Sequence, residues 1–122
     1  MSIAHRSWVH VASGFALMGS WAGFANRAFD MPAPLIAGLV QGCLTAVITL
    51  FMKRVIEAVA ARFTGLAGYV LPVLAAGVIS ICLLGSIHWL AGTPALLATI
   101  AVPFCVASSY GAIYTISLKR SS

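Results

Sequence analysis

Charged residues are scarce in this sequence: they make up 7% of its 122 residues and include only two acids, Asp30 and Glu57. A soluble domain carries about 25% charged residues, because water has to solvate its surface. Hydrophobic residues make up 61% of the chain, and they occur in continuous runs of membrane-spanning length. The composition therefore excludes an ordinary soluble domain and indicates an integral membrane protein.

The sequence also lacks the motifs of common catalytic and metal sites. No HExxH, phosphate-binding loop or GxGxxG motif is present, and we predict no catalytic residue, no metal and no cofactor. The cysteines, Cys43, Cys82 and Cys105, show no CxxC spacing and lie inside apolar runs. We expect them to be small buried side chains rather than disulfide partners or metal ligands.

What the chain does contain is four apolar segments, each close to the ~20 residues that cross a bilayer core. Backbone groups in lipid need internal partners, and continuous runs of this length favour helices over barrel strands. The first run is too long for the hydrophobic region of a signal peptide, so we expect a retained helix. Because the connections are short, neighbouring helices should run antiparallel. We predict an all-α integral membrane protein, a four-helix transmembrane bundle forming a single domain over residues 1–122, with helices at about 3–27, 34–63, 68–90 and 94–118.

The basic residues predict how the bundle is oriented, because lysine and arginine are enriched at the cytoplasmic ends of membrane helices. With the N terminus inside, the outer side holds only Arg27, offset by Asp30. The inner side then holds the other six bases: Arg6, Lys53, Arg54, Arg62, Lys119 and Arg120. We therefore predict cytoplasmic termini in a bacterial inner membrane. The net charge of +5 is expected to attract anionic membrane lipids rather than nucleic acid.

Two local patterns add detail to this bundle. Gly92, Thr93 and Pro94 are expected to end the third helix, cap the fourth and open it, respectively. Gly19 precedes Lys53 by the same offset as Gly85 precedes Lys119. This weak symmetry favours two tandem helical hairpins in a parallel repeat, with a chance match as the alternative.

The second helix carries the clearest functional pattern. Gln41, Thr45 and Thr49 recur at helical spacing on a face that is otherwise rich in small residues. Such a face serves either close helix packing, with Gln41 bonded across the interface, or a polar path inside the bundle. We predict a substrate path lined by Gln41, Thr45, Thr49, Tyr110 and Tyr114.

Charged and titratable groups near the inner side form a second set of candidates. Lys53, Arg54 and Arg120 are predicted to contact headgroups or other anions. His10 and Glu57 are candidates for proton-linked groups, because ionisable residues near a membrane are costly to keep. The alternative for Glu57 is an ion pair with Lys53, one helical turn earlier.

Small residues in the first two helices predict close helix packing. Together with a small-residue face on the fourth helix, they exceed what one small bundle needs, so we predict a homo-oligomer or a complex with another membrane protein. The residues concerned are Ala12, Ala16, Gly19, Gly23, Gly38 and Gly42.

These patterns predict transport or flipping of a small solute or a lipid-linked molecule across the cytoplasmic membrane by an oligomer. The alternative is a non-catalytic accessory or scaffold subunit of a membrane complex. A third interpretation, an intramembrane lipid-modifying enzyme, requires polar groups that converge on Glu57 or His10.

Overall fold

The computed structural model describes residues 3–121, and their side chains from Trp8 onwards. The predicted bounds differ from the observed ones by less than one helical turn, and the largest differences lie at the start of the third helix and the end of the fourth. The four helices are α1 (Ile3–Ala25), α2 (Ala33–Arg62), α3 (Gly65–Leu90) and α4 (Leu96–Ser121).

Three of the helices, α2, α3 and α4, are long and apolar enough to cross a membrane. Helix α1 has 23 residues but does not meet the same requirement over its described residues. Polar residues such as His10, Ser13 and Ser20 interrupt its apolar sequence. The prediction of four apolar spans is therefore confirmed for α2, α3 and α4 but not for α1.

Large apolar side chains cover the outside of the bundle. Leu50 on α2, Leu74 on α3 and Ile113 on α4 are 60%, 56% and 69% exposed. Soluble monomers rarely expose apolar patches larger than a few hundred Å². A surface built from such side chains along three long helices is compatible with solvation by hydrocarbon.

The cysteines belong to this outer surface. Cys43, Cys82 and Cys105 are free and exposed, so the expectation that they are buried is wrong. Apolar residues on a membrane helix face lipid as readily as a protein core, and hydropathy alone does not separate the two environments.

Helices α2 and α4 each contact the other three helices, whereas the backbones of α1 and α3 make no close contact within residues 3–121. On α3 the buried positions recur every four residues from Gly68 to His88, along the side-chain row through which helices interlock. The hydrophobic core contains Leu44, Ile48, Met52, Ile56, Ala76, Leu84 and Ile100.

Glycines bring α1 and α2 into backbone contact. A Cβ atom built on Gly19 would lie 2.9 Å from the carbonyl oxygen of Gly38, and one on Gly38 would lie 3.0 Å from the carbonyl oxygen of Gly19. A Cβ on Gly42 would lie 2.8 Å from the Phe15 ring, whereas Gly23 has a looser fit, with a backbone oxygen at 3.6 Å. Close approach of this kind explains why small residues are needed here.

The two alanines predicted to pack between helices lie outside this glycine contact. Ala12 and Ala16 are exposed, and Ala16 lines a shallow groove on the outside of the α1–α2 pair together with Gly19 and Gly38. Part of the small-residue face is therefore left uncovered by this chain. The predicted oligomer or partner remains a prediction.

The last residue of α3 is Leu90, and Gly92 lies in the turn that ends the helix, as its position predicted. Gly92 has a positive φ of 73°, which glycine adopts without steric cost. Its N–H donates to the Trp89 carbonyl at 3.1 Å, and the Thr93 N–H donates to the His88 carbonyl at 3.0 Å. These two bonds satisfy carbonyls at the end of α3 in a Schellman motif.

The start of α4 differs from the expectation that Thr93 caps it. Helix α4 begins at Leu96, and the N–H of Ala95 donates to the Asn26 side-chain oxygen at 2.9 Å. The Thr93 hydroxyl lies instead 2.7 Å from His88 Nδ1. The cap of α4 thus comes from the residue that follows α1.

Candidate functional site

A cavity of about 270 Å³ lies between α1, α2 and α4. Both polar and apolar side chains reach it, so it combines hydrogen-bonding groups with hydrophobic walls. The polar lining residues are His10, Ser13, Gln41, Thr45, Thr49 and Tyr110, and the larger apolar ones are Leu17, Met18, Ile48, Met52, Pro103 and Val106.

The way α1 is attached to α4 leaves room for this cavity. In the part of the chain whose side chains are described, the hydrogen bonds between these helices lie towards the C-terminal end of α1. Trp21 Nε1 donates to the Ala98 carbonyl at 3.0 Å, and Asn26 Nδ2 donates to Thr99 Oγ1 at 2.7 Å. The cavity lies beside the preceding turns of α1, from His10 to Met18.

The polar row of α2 forms one wall. Gln41, Thr45 and Thr49 are spaced four residues apart, which places them on one side of the helix. Gln41 Nε2 donates to Thr45 Oγ1 at 2.9 Å, and the Thr49 hydroxyl donates to the Thr45 carbonyl at 2.7 Å. Gln41 is fully buried, whereas both threonines are half-buried, so the threonines present the accessible part of the wall.

A buried histidine extends this row to the α3–α4 turn. His88 Nε2 lies 2.8 Å from Gln41 Oε1, and His88 Nδ1 lies 2.7 Å from Thr93 Oγ1. Because the Gln41 amide nitrogen bonds Thr45, its oxygen accepts from His88, so Nε2 carries the proton. In the neutral ring, Nδ1 then accepts from the Thr93 hydroxyl.

Asn26 ties the end of α1 to the start of α4. Its amide nitrogen donates to Thr99 Oγ1 and, at 2.8 Å, to the Ala22 carbonyl. Its oxygen accepts the Ala95 N–H, and the Thr99 hydroxyl donates to the Ala95 carbonyl at 2.6 Å. Asn26 and Thr99 are fully buried, so a closed polar cluster joins these two helices.

Sequence reasoning missed the roles of His88 and Asn26. One signal was available for His88: it continues the four-residue row that begins Gly68, Pro72, Ala76 on α3. Asn26 follows α1 in a turn, and the sequence holds no comparable sign of its contact with Thr99.

At the opposite end of the cavity, the acid of α2 bonds a tyrosine that stacks on a second tyrosine. The Tyr114 hydroxyl donates to Glu57 Oε2 at 2.7 Å, and the Tyr114 ring stacks on Tyr110 with a centroid distance of 5.6 Å. Tyr110 lines the cavity and Tyr114 does not. The predicted substrate path is therefore brought together in four of its five residues.

The predicted alternative of an ion pair between Glu57 and Lys53 is absent among the side chains that the structure describes. Glu57 bonds the Tyr114 hydroxyl on α4 instead. Tyr114 is already ordered by stacking on Tyr110, so holding it costs less side-chain entropy than ordering a lysine. Of the two proton-linked candidates, His10 lines the cavity, and Glu57 lies outside it.

The basic residues of α2 and α4 meet at this same end. Lys119 Nζ donates to the carbonyls of Ala60 and Phe63 at 2.7 and 2.9 Å, which satisfies acceptors at the C terminus of α2. The predicted anion contacts Lys53, Arg54 and Arg120 are exposed.

Residues 8–121 contain no cluster of three or more histidine, cysteine or acidic side chains that could hold a metal ion. No protein-family model, curated protein or solved structure matches the chain. The interpretation of the site therefore depends on its own geometry.

Proposed function

We propose that this protein carries a small solute or flips a lipid-linked molecule across the membrane through the cavity between α1, α2 and α4. The observation that carries the proposal is a cavity that places the polar row of α2, together with His10, Ser13 and Tyr110, among apolar lining residues, inside helices whose outer surfaces are apolar. Such a combination is typical of ligand sites, which pair hydrophobic walls with a few placed polar groups.

The partial exposure of the threonines in the polar row favours a role in ligand binding over a role in helix packing alone. Polar groups within a membrane bundle that serve only packing are expected to be buried against a neighbouring helix. Gln41 meets this expectation through His88, but Thr45 and Thr49 remain half-buried beside the cavity. Thr45 Oγ1, which accepts from Gln41, can still donate a hydrogen bond, and Thr49 Oγ1, which donates to a carbonyl, can still accept one. Such bonds lower the cost of leaving water for a passing polar group.

We propose that neighbouring helices run antiparallel and that both termini are cytoplasmic. Contact positions fall along α2 as they rise along α1: Gly14 meets Thr45, Gly19 meets Gly38, and Gly23 meets Pro34. Lys119, near the end of α4, contacts the end of α2. The bases of α2 and α4 then share one side, which the positive-inside rule assigns to the cytoplasm of a bacterial inner membrane.

Cysteine labelling tests this topology. With the three native cysteines changed to alanine, Ala28→Cys in the α1–α2 connection should react with a membrane-impermeant maleimide on intact cells. Thr64→Cys in the α2–α3 connection should react only after lysis. The reverse pattern would put the termini outside, and external labelling of both positions would mean that α2 does not cross the membrane.

Filling the cavity tests the transport proposal. In proteoliposomes, Ser13→Phe should abolish transbilayer movement of a fluorescent lipid or flux of small solutes, because a phenylalanine ring occupies the cavity beside α1. Gln41→Leu is a poorer test, since Gln41 also bonds the buried His88. Rates are measured by dithionite quenching for lipids and by tracer release for solutes.

Ala12→Phe is the matched control, because Ala12 is exposed on the same helix and lies outside the cavity lining. It should retain the rate of the unmodified protein, and both variants should keep its melting temperature. Equal rates for Ser13→Phe and the unmodified protein would refute passage through this cavity.

A second candidate function, an accessory subunit, is favoured by the uncovered groove on the α1–α2 pair. Helix α1 also falls short of the requirement for a membrane span over its described residues, and a partner helix would shield it from lipid. Absence of flux for every solute and lipid, together with stable co-purification of one membrane protein, would favour this function.

A further inference from the structure

The cavity is small for a ligand site. Pockets for drug-sized ligands measure about 300–1,000 Å³, and an engineered cavity of about 150 Å³ holds benzene. The present cavity, at about 270 Å³, lies between these sizes. It has room for one slender apolar chain, and it is too small to enclose the two chains of an ordinary phospholipid.

The polar row shows where the polar end of such a molecule would lie. Continuing the four-residue spacing of Thr45 and Thr49 along α2 leads to Lys53, which is exposed. Met52, the residue before it, lines the cavity. A chain that lies in the cavity along this row therefore has its head beside Lys53.

The charged residues at the Lys53 end of the cavity favour a negatively charged head. Lys53 and Arg54 are exposed here, and Lys119 bonds the end of α2. The one acid at this end, Glu57, keeps its charge while it accepts a hydrogen bond from Tyr114, but the bases outnumber it. The only other acid in the sequence, Asp30, lies in the connection between α1 and α2. A basic side chain at the membrane surface favours a nearby negative charge by a modest but measurable free energy.

We infer that the cavity binds a single-chain anionic amphiphile, with its apolar chain between α1, α2 and α4 and its carboxylate or phosphate head against Lys53. This inference deepens the proposed transport function and depends on the same cavity. It names the class of molecule that the cavity takes, whether that molecule is a free fatty acid or a singly acylated lipid.

Photo-crosslinking in nanodiscs of zwitterionic lipid tests the inference. The probes are a fatty acid with a diazirine in its chain, a singly acylated phosphate with the same chain, the corresponding neutral alcohol, and an anionic two-chain phospholipid carrying the same chain. Both single-chain anions should label cavity residues such as Met18 and Val106 about fivefold more than the alcohol does. Lys53→Gln should remove that preference, and Lys53→Arg should keep it.

Arg62→Gln is the matched control, because Arg62 is an exposed base at the end of the same helix and lies off the polar row. It should leave the preference unchanged, whereas Ser13→Phe should block all cavity labelling. Equal labelling by the alcohol, equal labelling by the two-chain phospholipid, or equal losses in Lys53→Gln and Arg62→Gln would overturn the inference.

Flux measured on the same preparations separates this inference from the transport proposal. Headgroup-selective labelling without flux would support the ligand class and refute transport. If Ser13→Phe blocks flux but the probes label the cavity equally, the proposed ligand class is refuted and the transport proposal is retained.

Discussion

Changing Gly19 to leucine is expected to force α1 away from α2 and to lower the melting temperature of the purified protein markedly. A Cβ at this position would lie 2.9 Å from the Gly38 carbonyl oxygen. Backbone atoms cannot rotate away as a side chain can, so the helices themselves must separate. Overpacking a close contact costs about 1–3 kcal/mol, and the whole leucine side chain should bring the loss to the upper end of that range.

Gly85→Leu is the matched control in α3. A Cβ at Gly85 meets no atom within 4 Å, and leucine is the better helix former by roughly 0.8 kcal/mol. Its melting temperature, followed by tryptophan fluorescence in detergent, should equal or exceed that of the unmodified protein. If Gly19→Leu and Gly85→Leu have the same melting temperature, the backbone contact does not hold α1 in place.

This comparison also bears on the tandem-hairpin prediction. Gly19 and Gly85 are equivalent positions in the proposed repeat, yet one touches a neighbouring backbone and the other touches nothing within 4 Å. The surroundings of the two glycines therefore lend the repeat no support, and it remains a prediction from the sequence.

The helices and their apolar character were predictable because hydropathy and length are local properties of the chain. A run of about 20 apolar residues has to satisfy its backbone internally in lipid, and a helix does so without distant partners. Helix α1 shows the limit of this reasoning: its polar residues lower its hydropathy, and its close contacts to α2 come from Gly19 and Gly38.

Helical periodicity likewise predicted which residues of α2 share a wall. Gln41, Thr45 and Thr49 line one cavity because a spacing of four residues returns to the same face. Periodicity does not say what lies opposite that face. Tyr114 was assigned to the path with Tyr110, but its stacking and its bond to Glu57 hold it outside the cavity.

The polar clusters could not be predicted, since their partners are far apart in the chain. His88 and Gln41 are separated by 47 positions, and Asn26 and Thr99 by 73. Such pairs depend on the register in which whole helices pack, and one residue of slip would break them. A buried polar side chain in a membrane bundle needs a partner, but the sequence does not identify which one.

Asn26→Ala is expected to be the most damaging substitution among the polar residues. It removes three hydrogen bonds: those to the Ala22 carbonyl, to Thr99 Oγ1 and from the Ala95 N–H. The Ala95 donor is then left without the cap that starts α4, and unsatisfied buried groups cost about 1–3 kcal/mol. We expect a loss of about 2–3 kcal/mol, together with faster amide exchange in the first turn of α4, measured by hydrogen–deuterium exchange mass spectrometry.

Arg27→Ala, at the next residue, separates this effect from general damage to the turn. Arg27 is exposed and bonds only locally, to the Phe24 carbonyl at 2.9 Å, so its loss should stay within about 0.5 kcal/mol.

Thr99→Val should speed exchange in the same turn, and in the double variant with Asn26→Ala the two effects should be less than additive. Because this cluster holds one end of α1 against α4 beside the cavity, loosening it should also weaken single-chain probe labelling there. Unchanged exchange in Asn26→Ala would mean that α4 starts without this cap.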